Sequence, residues 1–330
     1  MSLPHPRARV FVGILLALVA GLPADAPRAF AAGTTRIYVT NYLDNTVSVI
    51  DGSADAVVAT VRVGRAPAGM AVSPDQRFVY IANSESNTVS VLASTSNRIT
   101  RTIALPRRSR PVGLALSPDG RDLYTADGGS NRVSVIDTRT RRIVASLRVG
   151  RQPVSVAVSP DGRTLYTANS GSGNLSVINA RTRRVVRAIP TGRFPSGVAI
   201  APDGTSVYVT NELSGVTVIN AARGTVEARL ATPSPFGLGM SPDGARAYVT
   251  DLGPGKLTVI DTRTHQVSST VSVGPAGTDP FTVQATGGAI YVANQGANTL
   301  SVIDPNTLQV VATVSTGNSP YGVAVVQSTR

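Results

Sequence analysis

The chain has 330 residues, 42% of them hydrophobic and 15% charged, and a formal net charge of +12 carried by basic residues that are all arginine except Lys256. It has no cysteine and two histidines, which excludes a disulfide framework, a thiolate metal site and any site built from several imidazoles. A positive field of this size draws anionic partners in a salt-dependent way, although GC-rich coding would produce the same arginines.

The first 31 residues differ in kind from the rest. Arg7 and Arg9 precede an apolar run from Val10 to Ala20, Gly21 and Pro23 break it, and Ala29-Phe30-Ala31 puts small residues at a cleavage point. This is the order of a secretory signal peptide cut after Ala31. Read as a membrane anchor, the run would span only about half of a ~30 Å hydrocarbon core. The expectation is an exported protein, secreted or held in the periplasm or at the cell surface, with residues 32–330 as a single monomeric domain and no later transmembrane segment.

From residue 38 onward one sentence repeats. A Tyr sits in a short apolar run at Tyr38, Tyr80, Tyr124, Tyr166, Tyr208, Tyr248 and Tyr291, at spacings of 42, 44, 42, 42, 40 and 43. Each run ends at Asn or Asp and is followed by a Val-Ser-Val-Ile-like stretch and a Pro-led stretch. A period of about 40 to 45 residues containing several short strands marks a β-propeller. The unit from Gly113 reads as four strands, A to D from the axis outward, separated by Pro, Gly, Asp, Asn and Ser.

Ser-Pro-Asp-Gly at Ser117, Ser159 and Ser241 is turn chemistry, and Asn41, Asn83, Asp127, Asn169, Asn211, Asp251 and Asn294 are read as structural strand ends. Strand A alternates small and bulky residues, as in Gly69-Met70-Ala71-Val72, because neighbouring blades crowd together near the hub. Thr282-Val283-Gln284-Ala285 departs from this with Thr and Gln at the small positions. The repeat opens on a strand B and ends on a strand A at Gly322 to Val326, so the C-terminal strand is expected to join the N-terminal three and close a ring of seven four-stranded antiparallel blades.

Tyr38-Val39-Thr40-Asn41, Tyr208-Val209-Thr210-Asn211 and Tyr291-Val292-Ala293-Asn294 resemble the repeats of the YVTN-repeat family of β-propellers, and the resemblance covers residues 36–327. It implies an all-β, seven-bladed fold and a secreted or surface binding protein. Similar propellers include enzymes and a single-stranded DNA binder. Their metal-dependent members use inner-loop carboxylates or imidazoles, in which this chain is poor, so no metal and no cofactor are expected.

Aligned on their Pro, four D-to-A loops read Gly-Arg-Ala-Pro, Arg-Ser-Arg-Pro, Gly-Arg-Gln-Pro and Gly-Arg-Phe-Pro, which assigns Arg65, Arg108 with Arg110, Arg151 and Arg193 to the axial mouth. The other three loops carry an aromatic one residue after the Pro: Phe236, Phe281 and Tyr321. Arginine forks match carboxylate or phosphate oxygens and aromatic faces stack on flat or apolar groups. With Gln284, these residues predict a binding protein for an anionic ligand with an apolar or planar body.

Two alternatives remain open. A metal-free lyase, cyclase or isomerase would use the same mouth, with Asp279 and Tyr321 in acid-base roles. A polyanion binder, of nucleic acid or a cell-wall polymer, would use Arg139, Arg141, Arg142, Arg181, Arg183, Arg184 and Arg263 on the C-to-D hairpins, although no aromatics interleave with them to stack bases.

Overall fold

The structure, a computed structural model, describes residues 34–327. The Tyr-led repeats become seven four-stranded antiparallel sheets. Blade 1 is the shared one. Its innermost strand, Pro320–Gln327, pairs with Thr35–Asn41 from Thr35↔Gln327 to Asn41↔Pro320, followed outward by Thr46–Asp51 and Ala56–Arg62. The ring therefore closes as the repeat phase requires, and both central strands of the closing blade keep their hydrogen-bonding partners.

The innermost strands of blades 2 to 7 are Pro67–Val72, Pro111–Leu116, Pro153–Val158, Pro195–Ile200, Pro235–Met240 and Pro280–Ala285. Each begins with the Pro seen in the sequence, where a missing N–H costs the ladder least. Two residues on stands a Gly in blades 2, 3, 5 and 6 and in the closing strand of blade 1. A Cβ added to Gly69 would lie 2.6 Å from the Val112 carbonyl oxygen, and one at Gly113 would lie 2.8 Å from that of Val154. These glycines let inner strands approach backbone to backbone, the crowding expected at the hub.

Threonines of the second strands fasten the same contact. Thr250 Oγ1 accepts the Gly237 N–H at 2.7 Å and donates to the Phe281 carbonyl of the next blade at 3.0 Å. Thr40 does the same toward Gly322 and Ala68, and Thr210 toward Gly197 and Phe236. In blade 7, where Gly gives way to Thr282, the side chain itself donates to the Tyr321 carbonyl at 2.5 Å.

The core lies between blades, not at the axis. Tyr80, Val89 and Val91 of blade 2 pack with Leu114, Leu123 and Ile136 of blade 3, and Ile37, Val39 and Ile50 of blade 1 pack with Tyr291 and Leu300 of blade 7. Each sheet thereby packs against its neighbours while its outermost strand stays largely exposed, and the seven interfaces supply the apolar burial that a cysteine-free chain needs.

The buried Asn that ends the second strand in five of the blades ties the loops to this core. Asn83 accepts the Gly64 N–H at 3.1 Å and donates to Thr88 at 3.0 Å and Ser90 at 2.9 Å. Asn41 repeats the pattern with Gly317, Thr46 and Ser48. Asp127 and Asp251 stand at the same position as carboxylates. Both are buried, and burial pushes both carboxyls up, Asp127 to about 6.

Candidate functional site

A narrow channel of about 330 Å³ runs along the axis, with residues from all seven innermost strands in its wall. Most side chains in its wall are aliphatic or absent: Gly69, Leu114, Val156, Val198 and Leu238 are representative. Its polar side chains are few. Ser155, Ser170, Ser196, Glu212, Thr282, Gln284 and the Tyr321 hydroxyl are the side chains with oxygen or nitrogen, and no basic side chain is among them.

One arc of the mouth is aromatic. The Phe236 and Phe281 rings lie 3.9 Å apart, Phe281 and Tyr321 lie 4.4 Å apart, and Tyr321 stacks on Tyr42 at 5.8 Å and 24°. The four rings thus form one contiguous series across blades 6, 7 and 1. Phe236 and Tyr321 face the channel while Phe281, almost fully buried, stands between them. Tyr321 also bounds a smaller hollow of about 140 Å³ shared with Tyr42, Ala68, Ser84, Val112 and Gln295.

Across the axis from Tyr321, blade 5 contributes Glu212, half-buried and set where the chain leaves its second strand. Its backbone N–H donates to the Phe194 carbonyl at 3.1 Å. Burial raises its carboxyl above the usual range. Burial likewise pushes the Tyr321 phenol up, with Tyr42 and Glu212 adding to the shift, so this phenol is held protonated.

The rim arginines are positioned by a repeated local device. Backbone N–H groups of Arg65, Arg151 and Arg193 donate to Ser86, Ser172 and Ser214 of the adjoining B-to-C loops, at 2.7, 2.5 and 3.0 Å. The next residue, before the Pro, has positive φ in each case: Ala66 at 53°, Gln152 at 50° and Phe194 at 55°. The backbones are fixed while the arginine side chains stand exposed, and among the described residues none of them is within 4 Å of a carboxylate.

These arginines do not share the channel with the aromatics. Arg65, Arg108 and Arg110 surround a separate hollow of about 380 Å³ with Arg107, Glu85 and Asn87. Arg151 and Arg193 line neither space. Gln284 does face the channel, and its amide donates to its neighbour's carbonyl at 3.1 Å. Asp279 lies outside the channel wall, with Oδ1 accepting the Gly253 N–H at 3.0 Å and its own backbone at φ 47°.

Three mouth residues were not among the site residues predicted from the sequence. Tyr42 and Glu212 each follow the Asn that ends a second strand, a position that the repeat phase alone puts on the rim. Phe194, 44% exposed beside Arg193, precedes a loop Pro and belongs to the same rim. The signal was therefore present in the register.

A family described as YNCE-like beta-propeller matches residues 9–129. The fold is a ring of seven four-stranded antiparallel blades, and this family match covers its first part. A second family, described as Cytochrome D1 heme domain, matches residues 109–211. No curated protein matches this chain.

Among solved structures, Kuenenia stuttgartiensis Hydrazine Synthase is 26% identical, with a TM-score of 0.74 over 88% of this chain and 99% of that one. Dihydro-heme d1 dehydrogenase NirN in complex with DHE is 17% identical, with a TM-score of 0.65 over 90% of this chain and 66% of that one. A functionally unknown protein from Desulfotomaculum acetoxidans DSM 771 is 14% identical, with a TM-score of 0.73 over 89% and 99%. The last two are likenesses of fold.

Among the described residues, no group of three or more His, Cys, Asp or Glu could hold a metal ion, and no helix is long and apolar enough to cross a membrane. The expected signal segment lies outside the described residues.

Proposed function

We propose that this protein is an exported binding protein that works through the axial mouth, taking a small ligand whose flat or apolar body lies over Phe236 and Tyr321 and whose acidic group reaches outward to Arg151 and Arg193. The observation that carries this reading is the contiguous ring series Phe236, Phe281, Tyr321 and Tyr42 at one channel mouth. Buried aromatic series of this kind offer a rigid stacking surface at little entropic cost. Arginine side chains free of carboxylate partners supply the charge-assisted hydrogen bonds.

The match to a Cytochrome D1 heme domain and the likeness of fold to a dihydro-heme d1 dehydrogenase raise a haem as the flat body. The mouth does not fit a haem held through its iron. His265 sits on a C-to-D hairpin with Nδ1 2.9 Å from the Tyr208 hydroxyl, Tyr321 is held as a neutral phenol, and the Met70 thioether alone is a ligand that haem proteins pair with His. The proposal therefore concerns a ligand bound by stacking and charge.

Titration calorimetry with a series of aromatic carboxylates, benzoate and naphthoate first, tests the reading. Saturable binding that falls at least tenfold in Phe236→Ala and in Arg151→Ala/Arg193→Ala supports it. Binding unaltered by both variants overturns it. Export belongs to the same reading and rests on Arg7, Arg9 and the run from Val10 to Ala20. N-terminal sequencing of protein secreted by an expressing cell should begin at Ala32, and an intact Met1 end would refute it.

A further inference from the structure

The proposed mouth has arginines on its rim, yet the channel beneath is lined by one acidic side chain and no basic one, in a protein of net charge +12. Glu212 is half-buried, and among the described residues its carboxylate has neither an ion pair nor a side-chain hydrogen bond. A carboxylate withdrawn from water without a counter-charge is costly, and a cation delivered to it recovers that cost. The rings of Phe236, in the next blade, and of Tyr321, across the axis, share the same channel wall, and aromatic π faces attract cations most strongly where water is excluded. Gln284, Ser170 and Ser196 give the wall further oxygen acceptors.

We propose that the axial channel is a recognition site for an organic cation, a protonated amine or quaternary ammonium group, held by the Glu212 carboxylate and by the faces of Phe236 and Tyr321. This rests on the reading of the mouth as the ligand site and adds a polarity to it. The ligand's ammonium end enters the axis, its apolar body lies over the rings, and its acidic end stays at the rim.

The raised carboxyl of Glu212 agrees with this arrangement, because a bound ammonium restores the ionised form that burial disfavours. A neutral group of the same shape lacks that gain. A free anion in the channel would instead meet Glu212 at short range with no cation beside it.

The test is titration calorimetry with benzylammonium and tetramethylammonium, compared with benzyl alcohol and benzoate, on the wild type, Glu212→Gln, Phe236→Ala and Arg193→Ala. Both cations should bind saturably, with benzylammonium at least tenfold tighter than benzyl alcohol. Glu212→Gln should remove that margin, and Phe236→Ala should weaken tetramethylammonium about fivefold. Glu212→Asp, which keeps the charge, should retain part of the margin, and thermal midpoints of the variants report whether each is folded.

Cation binding indifferent to Glu212→Gln, or no cation binding at all, overturns the inference. If benzoate then still binds through Phe236 and Arg193, the reading of the mouth survives without it. If benzoate fails and the cations bind through Glu212, the anionic end of that reading falls and the cation site stands.

Discussion

The Tyr208 hydroxyl lies 2.9 Å from Nδ1 of His265, joining the second strand of blade 5 to the C-to-D hairpin of blade 6. Tyr38 makes the same reach from blade 1 to blade 2, donating to Asn97 Oδ1 at 3.0 Å. Asn97 and His265 occupy one hairpin position and share its positive φ, 52° and 54°. In blades 1 and 5 the repeat's tyrosine is thus a latch to the next blade, its ring in the core and its hydroxyl on the next hairpin, whereas the Tyr124 hydroxyl donates to Asp122 within its own blade at 3.4 Å.

Removing the hydroxyl alone isolates that latch. Tyr208→Phe keeps the ring burial and is expected to lose about 1 kcal/mol, the usual net value of one such bond. Urea unfolding of Tyr208→Phe, His265→Ala and the double variant should give a positive coupling energy of similar size. Additive losses would mean that the two groups do not interact in solution.

Asp127 gives a pH-dependent prediction. It is buried at a position where five other blades have Asn, and its two oxygens accept only Thr125 at 2.7 Å and Ser134 at 2.5 Å. Its carboxyl is pushed up to about 6 from an ordinary 3.8, so the folded state binds the proton more tightly than the unfolded state. The associated stability is fully present below about pH 4 and is lost as pH rises to about 6, leaving a penalty on the order of 3 kcal/mol above that. Asp127→Asn lets an amide donate to Ser134 as Asn83 does to Ser90. It should stabilise the protein at pH 8 by up to that amount and change little at pH 4, as read from thermal or urea midpoints at the two values.

The architecture was legible because its signals are periodic. Seven tyrosines in phase, a strand A left over at the C-terminus and turn residues at fixed offsets specify blade number and closure without tertiary information. The strand-end Asn and Asp residues were legible as structural for the same reason. What periodicity does not carry is direction. Arg193 and the residues after Pro195 are close in sequence, but Phe194 between them has φ 55°, and the chain turns there. The arginine is left exposed on the rim while Ser196 and its equivalents, Phe236 and Tyr321, face the channel. Cations and aromatics that the sequence pattern joins in one cavity are therefore divided by the backbone. The single bulge between the third and outermost strands of each blade, as at Val135/Ile136, was equally invisible, since ordinary β-branched residues form it.

Asn83 measures what the strand-end position is worth. It is completely buried and makes three hydrogen bonds, to Gly64, Thr88 and Ser90. Asn83→Ala strands a buried N–H and two hydroxyls and opens a small cavity, a cost of about 3 kcal/mol by the usual sum of such losses. Urea unfolding should show it, with amide exchange accelerated at Gly64. A loss below about 1 kcal/mol would show that water replaces the side chain.

The hub glycines set a steric condition between neighbouring inner strands. A methyl group on Gly113 would meet the Val154 carbonyl at 2.8 Å, Ser155 Cα at 2.9 Å and Val156 N at 3.2 Å, all backbone atoms of the next inner strand. Backbone cannot swing aside as a side chain can, so blades 3 and 4 must separate. The strain passes into the packing of Leu114 and Leu123 with blade 2 and into the channel wall, where Gly113 and Ser155 both lie. Gly113→Ala should therefore cost about 2 kcal/mol, in the range of overpacked cores, and weaken any ligand held in the channel as well. Gly287→Ala is the matched control, since nothing lies within 4 Å of a methyl group there and the residue is exposed. Thermal midpoints of the two variants should differ by several degrees, and equal midpoints would mean that the inner strands are not in backbone contact.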